Sequence, residues 1–494
     1  MQKHVLIIGA GLGGLAAAIR LAKYGLRVTV FEKNATPGGK MNETCIGKFR
    51  FDIGPSLLTM PSVIDDLFSF ISKKRSEYLQ FVHVDPICRY FFSDNTIFDT
   101  FSDRDKMHSE LEKFAPQEIA AYDKFLNYVH DLYKFAAEIF LFTPIHEFRK
   151  IIKFRFLPSL FQIHRLDALC TVHQRLTSFF NEPKLLQVFD RYPTYNGSDP
   201  FQAPATLNII AHVEYNMGSY YISGGMYQMI RAMEKLCREL NIEIHYNSPV
   251  ERINYYNKRI TGIQVNGTSI SADYIVCNAD VVHTFNHLIT GFSKRKARLN
   301  RLEPSLSGLV FLWSVKGIHD QLGHHNVFFS SDYRREFKQL SQEQRPPDDP
   351  TIYVCISSRR DAQHAPKNGE NWFVLLNMPC LSAGQNWKAY LKQLRAIALA
   401  RLKRHDVHLE SKIEAEQVFT PENFLSLYGA NRGSIYGISS NHRLSAFLRP
   451  PNRSRELQGL YFVGGSTHPG GGIPLVLLSG KMVSELIAEC EGII

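Results

Sequence analysis

The sequence lacks the closely spaced cysteines that bind metal ions or form redox pairs. Its eight cysteines are scattered along 494 residues, and none of them belongs to a CxxC motif. Long hydrophobic runs are also few. Residues 5–19 and 459–480 carry no charge, but glycines interrupt both segments, and prolines and His468 interrupt the second. These interruptions argue against a signal peptide and a membrane-spanning helix, so we expect a soluble or peripheral protein. The scattered cysteines are expected to be reduced thiols.

The basic residues are not concentrated in one segment of the sequence. Lysine and arginine exceed the acidic residues to give a net charge of +10, but the basic residues are dispersed and lack the flanking aromatics of nucleic-acid readers. We therefore expect no nucleic-acid partner. Hydrophobic residues at 44% and charged residues at 21% are typical of a globular protein with two or three domains.

The apolar pattern predicts a βαβ unit at the N-terminus, with strands at 5–8 and 28–31 around a helix. From about 61 to 193 the pattern is helical and predicts an inserted helical domain. Further on it predicts a helix at 226–240, a hairpin at Asn266-Gly267 and a strand at 274–277. Strands are also predicted at 309–313 and 351–354, and a helix at 387–403.

The strongest local motif is Gly9-Ala-Gly11-Leu-Gly-Gly14, placed between the first predicted strand and helix. The first glycine permits the turn, the second lets the backbone approach a pyrophosphate, and the third packs the helix on the strand. Glu32 ends the next strand, where a carboxylate accepts hydrogen bonds from a ribose. The three features together predict dinucleotide binding.

The residues after Glu32 distinguish FAD from NAD. A second glycine turn, 37–41, carries Lys40, and a segment with Gly54-Pro55-Ser56 follows. This arrangement resembles the extended FAD fingerprint of the flavin amine oxidase and phytoene desaturase superfamily. The resemblance implies that Lys40 contacts the FAD phosphates, although the superfamily more often has arginine there.

Three later segments resemble the same superfamily: Pro249-Val250 at a strand edge, 272–280, and the glycine-rich run 459–474. They imply an adenine contact, the closing strand of the FAD domain and the loop at the flavin end. By this resemblance, the residues expected to bind FAD are Gly9, Gly11, Gly13, Gly14, Glu32, Lys33, Gly39, Lys40, Gly54, Pro55, Ser56, Val250, Asn278, Ala279, Asp280, Gly464, Gly465, Gly472, Ile473 and Pro474.

The resemblance extends along the whole chain and implies an α/β fold. A Rossmann-type FAD-binding domain is expected from residues 1–60, 224–285 and 455–494. A mixed helical and β substrate-binding domain is expected from 61–223 and 286–454.

The C-terminal run resembles the carotenoid desaturase and oxygenase branch of the superfamily. Within it, Gly465 and Gly471 favour the bacterial oxygenases of diaponeurosporene or diapolycopene, whereas Thr467 and His468 favour the diapophytoene desaturases. The resemblance therefore implies oxidation of the terminal methyl group of a C30 carotenoid to an aldehyde, with desaturation as the alternative. A prenyl-lipid carrier that has lost FAD is a more distant alternative, against which the intact glycine motifs argue.

A polyene C–H bond is too weakly acidic for a side-chain base, so the oxidant is expected to be the flavin. His468 is the candidate catalytic residue near the flavin, where it could orient water or the ring. The alternative is a turn histidine bonded to nearby backbone. His324 and His325 have no partner ligand at metal spacing, so no metal site is predicted.

A long isoprenoid substrate has to enter from lipid, and one segment suits a membrane surface. Residues 148–161 interleave Lys150, Lys153 and Arg155 with large apolar side chains. We expect peripheral association with the inner face of the cell membrane and a cytoplasmic location. An ordinary core helix is the alternative for this segment, and the oligomeric state is left open.

Overall fold

The computed structural model describes residues 2–147, 166–442 and 449–494. The predicted docking segment, 148–161, therefore lies outside the described residues. The described helices of eight residues or more are α1 (Leu12–Lys23), α2 (Pro61–Phe70), α3 (Arg104–Glu112), α4 (Ile119–Phe140), α5 (Pro183–Asp190), α6 (Gln228–Glu239), α7 (Ser293–Asn300), α8 (Trp387–Arg404), α9 (Pro421–Tyr428) and α10 (Ile473–Cys490). Shorter α-helical segments are Val172–Leu176, Ile209–Ala211, Val281–His283 and Tyr333–Phe337.

The strands of the described ranges form two large sheets and three small ones. They are β1 (His4–Ile8), β2 (Arg27–Phe31), β3 (Glu43–Ile46), β4 (Phe49–Asp52), β5 (Phe81–His83), β6 (Cys88–Phe91), β7 (Ile97–Thr100), β8 (Tyr220–Ile222), β9 (Glu243–His245), β10 (Val250–Tyr256), β11 (Arg259–Val265), β12 (Thr268–Ser271), β13 (Tyr274–Cys277), β14 (Ser307–Lys316), β15 (His325–Phe328), β16 (Ile352–Ile356), β17 (Gly369–Met378), β18 (Ile413–Phe419) and β19 (Leu460–Phe462).

The first sheet has the strand order β19-β13-β1-β2-β9, and all its pairings are parallel. β1 lies at its centre and is almost entirely apolar, as expected for a parallel strand covered on both faces. α1 connects β1 to β2, which confirms the predicted βαβ unit and the α/β class.

α1 and α10 pack closely against each other beside this sheet. A Cβ atom added to Gly480 of α10 would lie 2.9 Å from the Ala17 nitrogen and from the Gly13 oxygen. Glycine at this position therefore lets the C-terminal helix lie directly on the helix that follows the dinucleotide turn.

The second large sheet has the order β18-β14-β17-β16-β15-β6-β7 and is antiparallel except between β15 and β6. The strand predicted at 309–313 lies within β14, the strand predicted at 351–354 overlaps β16, and the helix predicted at 387–403 is α8. The helical pattern predicted for 61–193 holds only in part, because β5, β6 and β7 interrupt it. β6 and β7 form a local antiparallel pair, whereas β6 also pairs with β15, and β5 with β8, both remote in sequence.

The hairpin predicted at Asn266-Gly267 joins β11 to β12, and both turn residues have positive φ angles. α2 packs in the same core as the parallel sheet, and contributes Ile64 and Leu67 to it. The domain boundaries stay a prediction. Across the described ranges, we found no helix whose length and apolar character would let it traverse a bilayer.

Candidate active site

A cavity of about 690 Å³ extends from the turn between β1 and α1 to the face of the second sheet. Every residue predicted to bind the cofactor lines it except Gly14, and His468 lines it as well. Segments from both ends and the middle of the chain therefore converge on one space.

The glycine turn leaves the start of α1 open to this cavity. α1 begins at Leu12, and its N-cap Gly11 provides no side-chain hydrogen bond. A Cβ atom on Gly11 would lie 2.6 Å from Asn278 Nδ2, so a side chain there would displace Asn278. The first N–H groups of α1 consequently form a site for an anion such as a pyrophosphate.

Gly14 has the packing role predicted for the third glycine. A Cβ atom there would lie 2.2 Å from the Gly9 oxygen, well inside van der Waals contact. The residue therefore fixes the separation between α1 and the turn, without lining the cavity itself.

Glu32 lies directly after β2 and is buried. Its carboxylate accepts hydrogen bonds from the Ala10 nitrogen at 2.8 Å and the Asn34 nitrogen at 2.9 Å. These bonds hold the carboxylate beside the glycine turn, where an acceptor for ribose hydroxyls is expected.

Lys40 is half-buried, and its ammonium group contacts backbone oxygens. Its Nζ donates to the carbonyls of Ser434 at 3.0 Å and Ile435 at 2.6 Å. Burial lowers the pKa of Lys40 to about 8, and nearby Asp280 opposes that shift. Lys33 lines the cavity too, and its Nζ donates to the Ser426 carbonyl at 2.9 Å.

The other predicted residues hold neighbouring segments of the cavity wall together. A Cβ on Gly54 would lie 2.1 Å from the Lys40 oxygen, and Ser56 Oγ is 2.6 Å from the Tyr353 hydroxyl. Asp280 accepts from two nitrogens at the start of the helical segment Val281–His283, and burial raises its pKa. Gly464 donates its N–H to Ser479 of α10.

His468 is almost completely buried in the cavity wall. Its Nε2 donates to the Thr143 carbonyl at 2.8 Å, and burial lowers the pKa of the ring to about 3. The imidazole is therefore neutral. Its backbone partner is remote in sequence, not within the same turn as the alternative assumed, and its catalytic role stays a prediction.

Sequence spacing gave His324 and His325 no partner ligand, and the structure places the side chain of Cys355 beside them. Cys355 lies opposite His325 in the register of β15 and β16, and the donor atoms of the three side chains lie within 4.8 Å of one another. Burial raises the pKa of the Cys355 thiol and lowers that of His324 to about 4. Sequence spacing could not indicate this cluster, because it depends on strand pairing.

Apart from His325, the far part of the cavity is formed by residues that the sequence did not single out. One face of the second sheet forms its floor with Cys88, His325, Val327, Tyr353, Phe373 and Leu375. Arg191 and Tyr195 line it from the segment after α5, among many aliphatic side chains. No local motif marks these residues, because cross-strand register brings them together.

The parallel sheet, the open start of α1 and the placement of Glu32 define a Rossmann-type dinucleotide-binding protein. The family described as flavin containing amine oxidoreductase matches residues 12–488. The chain belongs to this family and is an FAD-dependent oxidoreductase.

Full-length relatives have names from carotenoid chemistry. A 1-hydroxycarotenoid 3,4-desaturase of Flavobacterium sp. is 36% identical over 98% of this chain and 99% of the relative. A 4,4'-diapolycopene oxygenase of Methylomonas sp. is also 36% identical, over 98% of both chains. A 4,4'-diaponeurosporene oxygenase of Staphylococcus haemolyticus is 33% identical over 99% of this chain and 98% of its own length.

Solved structures establish the fold independently. An oxidoreductase from Methanosarcina mazei superposes with a TM-score of 0.66 at 17% identity, covering 98% of this chain and all of the other. A putrescine oxidase variant superposes with a TM-score of 0.64 at 13% identity, covering 99% of both chains. The overall fold is therefore shared with these two proteins.

Proposed function

We propose that this protein oxidises the terminal methyl group of a C30 carotenoid to an aldehyde. The observation that carries the proposal is the cavity that connects the predicted FAD residues to the largely apolar floor of the second sheet. The names of two of the relatives, both oxygenases of C30 carotenoids, support the same substrate class. A long apolar chain would bind there with its reacting end toward the glycine loops.

The described residues fit FAD. The N-terminus of α1 would bind the pyrophosphate, Glu32 the ribose, and Lys40 a phosphate. Bound FAD supplies the two-electron oxidation that no side chain can perform. The chain's own part is to position the substrate and exclude water. Conversion of a methyl group to an aldehyde is a four-electron oxidation, which two such steps complete when water supplies the oxygen atom. An oxygen atom from O2 would itself carry part of that oxidation.

The pH dependence of FAD binding tests the assignment of Lys40. Because burial lowers the pKa of Lys40 to about 8 and a bound phosphate would raise it, FAD affinity should fall as pH rises above about 8. Fluorescence titrations of the apoprotein with FAD at a series of pH values should show this slope of affinity against pH. Lys40→Arg should remove it, because arginine stays charged throughout this range, whereas an unchanged slope in Lys40→Arg would exclude Lys40 as its source.

A desaturase is the second candidate, favoured by the 36% identity to the 1-hydroxycarotenoid 3,4-desaturase. Co-expression with enzymes that make diapophytoene or diaponeurosporene separates the two chemistries. We expect new aldehydes whose oxygen carries label from either O2 or water. New double bonds without oxygen would establish a desaturase, and unlabelled aldehyde from both sources would contradict the oxygenase.

We propose further that the protein works at the inner face of the cell membrane and receives its substrate from lipid. The segment 148–161 supports this by its sequence, which alternates cations with apolar residues. Changing Lys150, Lys153 and Arg155 together to Glu should abolish binding to anionic liposomes in a flotation assay while leaving the flavin content unchanged. Liposome binding equal to that of the wild type would refute docking through this segment.

A further inference from the structure

Arg191 is a buried cation in an otherwise largely apolar part of the cavity. Its Nη2 donates to the hydroxyl of Tyr90 at 2.8 Å and to that of Tyr195 at 3.2 Å. Glu214, fully buried, lies 3.9 Å from the guanidinium, and burial raises the pKa of its carboxyl group. The Nε of Arg191 is buried and has no hydrogen-bond partner among the described residues.

His325 also lines this cavity, and one of its ring nitrogens is unpaired. Ser56 Oγ lies 2.6 Å from the Tyr353 hydroxyl, which in turn lies 2.7 Å from His325 Nδ1. Within the described part of the chain, His325 Nε2 is buried without a partner. Burial lowers the pKa of His325 well below its ordinary value, so the ring is neutral. When Tyr353 donates to Nδ1, Nε2 carries the hydrogen and becomes a donor.

Strand register places these groups side by side. Val327 of β15 pairs with Tyr90 of β6 on one side and with Tyr353 of β16 on the other. Arg191 therefore lies over the Tyr90 edge of the floor, and His325 lies on the same strand as Val327, two residues earlier. Both residues line a space bounded mainly by apolar side chains, and in each the unpaired nitrogen is buried.

Buried N–H donors of this kind destabilise the protein unless a ligand accepts a hydrogen bond from them. A buried N–H without an acceptor loses its hydration and gains nothing in return. Arginine has no acceptor atom, so its partner has to be an oxygen that accepts. A hydrocarbon polyene has no such atom.

We propose that Arg191 and His325 form a subsite that binds the hydroxyl or carbonyl oxygen at the end of an oxygenated carotenoid. The inference rests on the proposed function and deepens it. Ser56 connects this subsite to the predicted FAD residues, so an alcohol formed by the first oxidation would be held for the second. The subsite would also favour substrates that already carry oxygen over their parent hydrocarbons.

Absorption spectra of the bound polyene test the hydrogen bond directly. Purified FAD-loaded enzyme is titrated with a C30 polyene aldehyde and with its parent hydrocarbon, each in detergent micelles. A conjugated aldehyde absorbs at longer wavelength when its oxygen accepts a hydrogen bond. We expect this red shift with the wild type, and no comparable shift for the hydrocarbon.

The variant Arg191→Met/Glu214→Gln removes the cation without leaving a buried carboxylate unpaired. We expect it to lose the red shift and to weaken aldehyde binding by about tenfold or more, with hydrocarbon binding changed less than about twofold. His325→Phe should also weaken binding of the aldehyde more than binding of the hydrocarbon. If the double variant does not retain FAD, His325→Phe alone tests the proposal. Arg401→Met is the matched control, because Arg401 is buried but does not line the cavity.

The possible outcomes separate the subsite from the function. Equal weakening of aldehyde and hydrocarbon, or a red shift that survives both variants, overturns the subsite while leaving carotenoid oxidation intact. Wild-type enzyme that binds neither polyene contradicts the proposed function, and the subsite with it.

Discussion

Substitution of Gly14 by alanine should abolish retention of FAD through purification. The added Cβ would lie 2.2 Å from the Gly9 oxygen, so α1 has to move away from the turn that it closes. Overpacking of this kind costs about 1–3 kcal/mol of stability, and the shift also withdraws the helix N-terminus from the pyrophosphate. The flavin absorbance per protein after gel filtration measures the effect.

Gly323→Ala provides the control for that substitution. Its added Cβ would have no neighbour closer than 3.7 Å, so the flavin content should equal that of the wild type. A Gly14→Ala protein that retains FAD at the same ratio would show that the close contact does not set the cofactor site.

Replacement of Glu32 by alanine should weaken FAD binding by roughly 100-fold or more, because hydrogen bonds to charged groups contribute about 1.5–3 kcal/mol each. The carboxylate is the expected acceptor for the ribose, and its bonds to the Ala10 and Asn34 nitrogens shape the turn. Calorimetric titration of the apoprotein with FAD gives the dissociation constant directly.

Glu243→Ala is the matched control, since this glutamate is 68% exposed at the edge strand of the same sheet. Its dissociation constant should stay within about twofold of the wild type, as for most surface substitutions. If the dissociation constant of Glu32→Ala for FAD changed as little, Glu32 would not contribute to binding of the cofactor.

The parts of the fold that depend on residues close in sequence were predictable. The βαβ unit and the Asn266-Gly267 hairpin depend on residues close in sequence, and both are confirmed. β6 was missed because it is a short strand in a region of helical pattern, and one of its two partners, β15, is more than two hundred residues away. Alternation over four residues carries too little information to reveal such pairing.

The site divides in the same way. Each glycine motif is readable in sequence, because the turn needs particular backbone geometry at fixed spacing. Arg191 and Cys355 could not be found, because each depends on a strand register or a buried contact between remote segments. The cofactor half was therefore predictable, and the far half of the cavity was not.

Anaerobic mixing of the FAD-loaded protein with a C30 carotenoid tests the central claim most directly. If the cavity brings the polyene to the flavin, the visible absorption of oxidised FAD should bleach as the carotenoid is oxidised. Flavin that stays oxidised, while the carotenoid demonstrably binds, would contradict electron transfer from the polyene to FAD in this protein.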